Sequence, residues 1–435
     1  MSGITEAVVL IALLFIFLGA GVWVSLSLML VALIGMVFFT NSPAGLVMAT
    51  QIWGSSNSWT LTALPMFIWM GEILFRTRLS EDMFRGLAPW LTRLPGRLMH
   101  VNVVGCGIFA AVSGSSAATC ATIGKMTYPE LKRRGYHEDM CIGSLAGSGT
   151  LGLLIPPSII MIVYAVAAEV SIAQLFIAGV IPGILLMGLF SGFIIVWALI
   201  YPNRTPVEHE NTTLLQKISA GRHLIPVVLL ILSVIGSIYT GLATATEAAA
   251  LGVLGSLILS AASRSLTWAT FTDSVMGAMR TSCMIAFILA GAAYLTTAAA
   301  FTGLPRLLAE YIASFGLSPG MLILALTVFY MILGCFLDGI SMVVLTTSVV
   351  LPLIKAAGID LLWFGIFIVL VVEMAQITPP VGFNLYVLQG MTGKNIFYIG
   401  WVTLPFFLLM VVAVLLVYWV PELVTYLPQQ MMKQG

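Results

Sequence analysis

Hydrophobic residues fill most of the chain in long stretches, and short polar connections separate them. A helix needs about 20 apolar residues to cross the hydrocarbon core of a bilayer. Stretches of about that length predict ten full transmembrane spans. They lie near residues 4–20, 22–39, 57–75, 145–168, 173–200, 224–240, 244–262, 281–300, 362–388 and 396–420.

Three of the connections, 79–97, 266–280 and 304–316, place apolar and charged residues at helical spacing. This pattern predicts amphipathic helices that lie in the membrane interface. Such a helix can be a plain connection or a hinge between moving parts, and the pattern is compatible with both.

Two units, residues 101–128 and 321–353, do not fit the pattern of full spans. Each has two apolar arms of about half a span around a centre of small and polar residues. The first centre, Ala111–Cys120, reads "AVSGSSAATC". Two full crossings need about 40 residues, and each unit has about 30. Each unit therefore predicts a re-entrant helical hairpin that enters and leaves the membrane on the same side.

The composition agrees with a membrane protein. Hydrophobic residues make up 60% of the 435 residues and charged residues only 8%, whereas a soluble domain carries about 25% charged residues. We therefore expect one all-α integral membrane domain in a lipid bilayer. The net charge of +1 gives no indication of a nucleic-acid partner.

The positions of the basic residues predict the topology, because loops rich in Lys and Arg stay in the cytoplasm. If the chain alternates sides along the spans, each hairpin stays on one side and the N-terminus lies outside, then 15 of the 18 Lys and Arg residues fall on the cytoplasmic side. Only Arg306, Lys355 and Lys433 fall outside. Both termini are then predicted outside the cytoplasm.

An internal repeat emerges when the sequence is shifted by 223 residues. Pro129 then aligns with Pro352, and the doublet Pro156-Pro157 aligns with Pro379-Pro380. The predicted topology places the first hairpin on the inside and the second on the outside, so the two repeats have opposite orientations. Inverted repeats with interrupted helices are typical of secondary transporters.

The proline doublets explain why such repeats form a site. A proline inside a helix removes a backbone donor and blocks the preceding turn. The freed backbone groups are tolerated at membrane depth where they line a polar cavity. We therefore expect the two broken helices and the two hairpin tips to converge near the midplane. The hydroxyl groups of the first tip can bind an ion or a substrate there; alternatively, its small residues only allow close helix packing.

Five segments together resemble the large membrane subunit of tripartite ATP-independent periplasmic (TRAP) transporters, and the resemblance covers nearly the whole chain. They are "FAAVSGSSAATCATIG" (109–124), "GTLGLLIPPSIIMIVYA" (149–165), "AGVIPG" (178–183), "YTGLATATEAAALG" (239–252) and "TPPVGFNLYV" (378–387). The resemblance implies a bacterial inner-membrane protein with a scaffold domain and a mobile, elevator-type transport domain. It also implies coupling to sodium ions rather than ATP, a small four-helix membrane subunit and a periplasmic substrate-binding protein.

The sequence of the second tip differs from that of the family members that transport C4-dicarboxylates. Members specific for C4-dicarboxylates often carry Glu-Pro-Ser there, whereas this chain has Asp338-Gly339 in "FLDGISMVVLT" (336–346). The resemblance therefore leaves the substrate open.

The predicted spans, the internal repeat and the resemblance to TRAP transporters together predict a division of the chain into five parts. They are N-terminal scaffold helices (1–56), a first repeat with hairpin 101–128 and broken helix 145–168 (57–204), scaffold helices and cytoplasmic connectors (205–280), a second repeat with hairpin 321–353 and broken helix 362–388 (281–420), and a periplasmic C-terminal tail (421–435).

Oxygen-bearing residues at the tips and breaks are the candidate site residues. The candidate substrate ligands are Ser113, Ser115, Ser116, Ser158 and Asn384. The candidate sodium ligands are Ser113, Gly114, Ser116, Thr119, Gly149, Thr150, Asp338, Gly339, Gln376 and Thr378. The helix breaks are predicted at Pro156, Pro157, Pro379 and Pro380.

Structural roles remain open for several of these residues. Asp338 can cap the second helix of its hairpin instead of binding a cation, or do both. Gln376, Thr378 and Asn384 can satisfy backbone groups freed by the second break. Glu373, one turn outside that break, can form an ion pair or titrate, but it is expected to be satisfied at the membrane interface.

The predicted function is sodium-coupled uptake of a small organic anion, a carboxylate or sulfonate, delivered by a binding protein. A stand-alone sodium–anion symporter without a binding protein is the alternative within transport. An intramembrane enzyme and a structural scaffold are alternatives from other classes. The chain contains no HExxH or GxxxxGK[ST] motif, so the sequence favours a transporter over a zinc protease or an ATP-driven protein.

Overall fold

A computed structural model describes residues 3–77, 86–206, 214–222, 224–303, 318–334, 337–380 and 382–434. All regular secondary structure in these ranges is helical. The helices are α1 (Gly3–Gly19), α2 (Val24–Phe39), α3 (Ala44–Ser56), α4 (Ala63–Arg76), α5 (Met99–Ser113), α6 (Ser116–Arg133), α7 (Glu138–Gly149), α8 (Leu151–Leu154), α9 (Ile159–Ala168), α10 (Ile172–Ile200), α11 (Leu214–Gly221), α12 (Ile225–Tyr239), α13 (Ala245–Ala262), α14 (Trp268–Phe301), α15 (Pro319–Leu333), α16 (Gly339–Ala356), α17 (Leu361–Gln376), α18 (Phe383–Thr392), α19 (Ile396–Trp419) and α20 (Glu422–Gln434).

Four of the described helices, α10, α13, α14 and α19, are individually long and apolar enough to cross a membrane, and the number rises to seven if each bent pair counts as one span. One bent pair joins α3 to residues 59–76 at 53°, and another joins 138–154 to α9 at 40°. The outer helices expose large apolar side chains, as expected for surfaces that face lipid. Examples are Ile184, Leu199, Leu229, Leu254 and Leu408. The chain is thus an all-α integral membrane protein, while the count of ten spans stays a prediction.

The prediction of an interfacial helix at 266–280 is wrong. These residues belong to α14, which runs without a break for 34 residues from Trp268. No proline interrupts the segment, and a capping box at Thr267 fixes its start. Within the predicted interfacial segment 79–97, the described part is helical at 86–91 and then turns, while the segment 304–316 lies outside the described residues.

Each of the two predicted hairpins corresponds to two consecutive helices in the structure. The first hairpin is α5 and α6, which pack against each other and have 15 and 18 residues. The second hairpin is α15 and α16, also of 15 and 18 residues. A hydroxyl contact of 2.7 Å between Tyr330 and Thr346 joins its two arms.

Both predicted helix breaks are present. The first interrupts the chain between α8 and α9, and the second between α17 and α18. The peptide bond within each proline doublet, Pro156-Pro157 and Pro379-Pro380, is cis.

Helix α17 occupies the centre of the molecule. Every residue from Trp363 to Gln376 is buried, as expected for a helix that is apolar on all sides. It packs against α9, α10, α15, α16 and α19. Its last turn, just before the second break, therefore lies deep inside the protein.

The C-terminal segment 421–435, predicted as a tail, contains the helix α20. This helix packs against α10 and α17. Which side of the membrane it faces stays a prediction.

Candidate functional site

The first hairpin turns at Gly114, which takes a left-handed conformation (φ 59°) that favours glycine. Helix α6 then begins at Ser116, and the side chain of Ser115 accepts a hydrogen bond from the Ala118 N–H group. The hydroxyl groups of Ser113 and Thr119 lie 2.6 Å apart across the turn. The sequence motif therefore brings four hydroxyl-bearing residues together at one tip, as predicted.

This tip packs directly against the first helix break. The Gly114 carbonyl accepts a hydrogen bond of 3.3 Å from the Ile159 N–H group. A methyl group built on Gly152 would lie only 2.5 Å from the carbonyl oxygen of Ser115 and 2.6 Å from Cα of Ser116. Because these neighbours are backbone atoms, only glycine allows α8 to approach the tip so closely.

Glu373 joins this arrangement from the opposite half of the chain. Its side chain is fully buried, and its Oε1 atom accepts hydrogen bonds from the Ser116 hydroxyl and, at 3.0 Å, from the Leu153 N–H group. The prediction that Glu373 lies at the membrane interface is therefore wrong. The reason is the central position of α17, which buries its last turn.

Gln376 connects the same turn of α17 to the second tip. A Cβ atom built on Gly339 would lie 3.2 Å from Nε2 of Gln376 and 2.9 Å from Cδ1 of Ile160. Residues one turn apart on a helix share a face. One face of α17 thus reaches the first tip through Glu373 and the second tip through Gln376.

At the second tip, Asp338 caps helix α16. Its Oδ2 atom accepts hydrogen bonds of 3.1 and 3.2 Å from the N–H groups of Ile340 and Ser341. The capping role weighed from the sequence is therefore present. The carboxylate is only half-buried, so it remains available to a ligand.

Asp338 also lines a cavity of about 1200 Å³. Its walls come from the junction of α1 and α2, the middle of α14, and the second hairpin. They include the side chains of Trp23, Ser25, Phe287, Leu337, Asp338 and Ser341. The cavity is mostly apolar with a few polar groups, which is typical of sites for small molecules.

Asn384, the first polar residue after the second break, faces the first break. A Cβ atom built on Gly149 would lie 3.2 Å from its Nδ2 atom. Asn384 is fully buried, and within the described part of the chain neither its Nδ2 nor its Oδ1 atom has a hydrogen-bond partner. The buried hydroxyl of Ser148 also lacks a partner. Buried polar groups are nearly always paired, so these atoms mark a place that can receive a ligand.

The remaining candidates make local contacts in this conformation. The Ser158 hydroxyl caps α9 by accepting a hydrogen bond of 3.4 Å from the Met161 N–H group. The hydroxyls of Thr150 and Thr378 donate to carbonyls of their own helices, those of Gly147 and Met374. Their own carbonyls remain possible ligands.

The donor set at the tips and breaks fits sodium. Among the described residues, no group of three His, Cys, Asp or Glu side chains could hold a metal ion. The groups that do meet are hydroxyls, carbonyls, an amide and single carboxylates. Hard cations prefer oxygen ligands of this kind.

Two residues of this arrangement, Ser148 and Glu373, are not among the site residues predicted from the sequence. Ser148 gives no signal that distinguishes it from other small residues in helices. Glu373 had one, since it is an acid inside an otherwise apolar stretch, and an ionisable residue within a transmembrane segment points to function by default.

Residues 10–423 match the family described as "Tripartite ATP-independent periplasmic transporter, DctM component". Similar proteins include a C4-dicarboxylate TRAP transporter large permease protein DctM of Rhodobacter capsulatus, 31% identical over 97% of this chain and 99% of that protein. A sialic acid TRAP transporter large permease protein SiaM of Vibrio cholerae is 29% identical over 85% of this chain and 86% of its own length. An isethionate TRAP transporter permease protein DctMQ of Oleidesulfovibrio alaskensis is 31% identical, covering 94% of this chain but 64% of that protein.

Two solved structures share the fold at low sequence identity. The YdaH transporter of Alcanivorax borkumensis aligns with a TM-score of 0.61 at 13% identity, over 86% of this chain and 87% of its own. MtrF of Neisseria gonorrhoeae aligns with a TM-score of 0.56 at 12% identity, over 86% and 82%. The match over nearly the whole sequence shows that this chain belongs to the DctM family of TRAP transporter components, which are multi-pass inner-membrane transport proteins and not enzymes.

Proposed function

We propose that this chain carries a small organic anion across the inner membrane, driven by sodium ions, after a periplasmic binding protein has delivered it. The observation that carries the proposal is the meeting of two hairpin tips and two helix breaks around α17, with buried oxygen atoms that lack partners. Such interruptions place freed carbonyls and helix ends where ions and substrates bind in secondary transporters.

The relatives support the class of substrate. Their names specify a C4-dicarboxylate, isethionate and sialic acid, which are all organic acids. We infer a carboxylate or sulfonate for this chain too. The cavity beside Asp338 is large enough for a solute of this size.

Ten residues would hold the sodium ions, and five would contact the substrate. The sodium ligands are Ser113, Gly114, Ser116, Thr119, Gly149, Thr150, Asp338, Gly339, Gln376 and Thr378. The substrate ligands are Ser113, Ser115, Ser116, Ser158 and Asn384. Bound sodium would add positive charge at the two tips, which favours binding of an anion beside them.

We also propose that the two halves are inverted repeats that move as an elevator. Local features at the 223-residue offset support this. Ser115 and Asp338 both cap the second arm of their hairpin, and Gly135 and Gly358 both follow that arm in a left-handed conformation, with φ of 79° and 70°.

Two partners belong to the proposal. One is the periplasmic binding protein, and the other is a small four-helix membrane subunit that widens the scaffold. This chain covers 64% of the DctMQ relative, whose name joins the M and Q components. The name of that relative supports an association between a protein of this kind and a Q component.

Reconstitution into proteoliposomes tests the function. With all three components and an inward sodium gradient, we expect uptake of an organic acid that potassium and ATP do not drive. This chain alone should transport little. Full-rate uptake of free substrate by this chain alone would contradict the tripartite proposal and favour a stand-alone sodium–anion symporter.

Asp338 provides the matched variants for sodium coupling. Asp338→Asn keeps an acceptor for the cap of α16 and removes the charge, whereas Asp338→Ala removes both. We expect both variants to lose sodium-dependent uptake, and only the alanine variant to lose about 1 kcal/mol of stability from the missing cap. Normal sodium dependence in Asp338→Asn would remove this carboxylate from the sodium site.

Single cysteines test the inverted orientation. In a cysteine-free background, Lys132→Cys should react with a membrane-impermeant thiol reagent from the cytoplasmic side and Lys355→Cys from the periplasmic side. Reaction of both from one side would contradict the inverted repeats and the periplasmic placement of the termini.

A further inference from the structure

Glu373 is a buried acid that belongs to neither the proposed sodium ligands nor the proposed substrate ligands. Its exposure is 0%, and no Lys, Arg or His side chain forms an ion pair with it among the described residues. A buried carboxylate without a countercharge is strongly unfavourable. Either a bound cation or a proton must therefore neutralise this carboxylate.

The two oxygens of this carboxylate have different surroundings. Oε1 accepts hydrogen bonds from the Ser116 hydroxyl and the Leu153 N–H group. Oε2 is equally buried and has no hydrogen-bond partner among the residues that the structure describes. An ionised carboxylate has about four acceptor positions. The two positions on Oε2 are therefore available to a ligand.

The free oxygen belongs to a carboxylate that is held at the first tip. Ser116 is the first residue of α6, and Leu153 lies in α8, just after Gly149 and Thr150. The candidate sodium ligands of this tip and this break are all uncharged. A cation bound only by neutral oxygens in a low-dielectric interior gains much from a nearby negative charge.

We propose that Glu373 is the carboxylate of the sodium site at the first tip, with Oε1 fixed by Ser116 and Leu153 and Oε2 available to the ion. This inference rests on the proposed sodium coupling and deepens it. Since Glu373 lies on α17 and Ser116 on α6, a sodium ion there connects the two halves of the chain.

Sodium-dependent thermal stability of the purified full-length protein tests this proposal without relying on transport. A ligand that binds the folded state raises the unfolding temperature with its concentration. We expect sodium chloride, against potassium chloride at constant ionic strength, to stabilise the wild type. Glu373→Gln should raise the sodium concentration for half-maximal stabilisation by about tenfold or more, because it removes the charge.

Two further variants make the result specific. Glu373→Asp keeps the charge and should stay within about tenfold of the wild type. Glu72→Gln is the control, since Glu72 pairs with Arg76 at 2.8 Å at the end of α4 and should respond to sodium like the wild type.

The outcomes separate this inference from the proposal on which it rests. A wild type that does not respond to sodium would overturn sodium coupling itself. A responding wild type with an unchanged Glu373→Gln variant would overturn only the role of Glu373. If Glu373→Gln does not fold, Glu373→Ala takes its place, and an unchanged half-maximal sodium concentration in that variant overturns the inference.

Discussion

The two hairpin tips occupy corresponding positions in the sequence, but they obtain their negative charge in different ways. The first tip carries only neutral hydroxyl side chains, and its carboxylate, Glu373, comes from α17. The second tip carries its own carboxylate, Asp338, at the start of α16. The charge at the first tip therefore depends on contact between distant segments, whereas the charge at the second depends on one local turn.

The tips also differ in what surrounds them. Backbone atoms of α8 and the first break enclose the first tip. The second tip borders the large cavity between α1, α2 and α14. In this conformation the second tip lines the large cavity, whereas the first tip is packed against α8 and the first break.

Glycine substitutions should give the largest difference between the tips. In Gly152→Ala the new methyl group would meet backbone at 2.5 Å, whereas in Gly339→Ala it would meet the side-chain ends of Val372 and Ile160 at 2.6 and 2.9 Å. The end of Ile160 can rotate away and the stiffer Val372 side chain can shift with its surroundings, whereas the backbone at Gly152 cannot give way as readily. We therefore expect Gly152→Ala to cost about 3 kcal/mol or more and Gly339→Ala about 1 kcal/mol.

Thermal unfolding in detergent measures this difference. Gly188→Ala in α10 is the control, because nothing lies within 4 Å of its added methyl group, and alanine is the better helix former. Equal losses at Gly152 and Gly339 would mean that the first tip is not packed more rigidly than the second.

Much of this comparison follows from the sequence. The small residues of "AVSGSSAATC" and the short arms on both sides predicted a helical turn, and the structure has one at Gly114. The proline doublets predicted helix breaks, and both are present. These features depend on local chemistry, since glycine permits a left-handed turn and proline removes a backbone donor.

The contacts of Glu373 could not be predicted in the same way. Its partners Ser116 and Leu153 lie 257 and 220 residues away in the sequence, and only the central placement of α17 brings them together. The error at 266–280 has a related cause. Amphipathic spacing marks a helix with two different faces, and it does not show where that helix ends.

Removal of single hydroxyl groups should give a moderate effect at the first tip. Ser116→Ala deletes one of the two donors to the buried carboxylate of Glu373. A buried charged group that loses a hydrogen bond costs about 1–3 kcal/mol. The measurement is the unfolding temperature, with Ser237→Ala as the control, because Ser237 only donates to the Val234 carbonyl of its own helix at 2.9 Å. No difference between the two variants would show that Ser116 does not stabilise the carboxylate.

The corresponding change in the second hairpin should have the smallest effect. Tyr330→Phe deletes the hydroxyl that joins α15 to α16, 2.7 Å from the Thr346 hydroxyl. Thr346 keeps a partner, since it also donates to the Met342 carbonyl at 2.9 Å, and the phenylalanine ring fills nearly the same volume. A neutral group that stays satisfied loses only about 0.5–1.5 kcal/mol. The unfolding temperature should therefore fall less in Tyr330→Phe than in Ser116→Ala. A larger fall would mean that the second hairpin depends on contact between its arms as strongly as the first tip depends on Glu373.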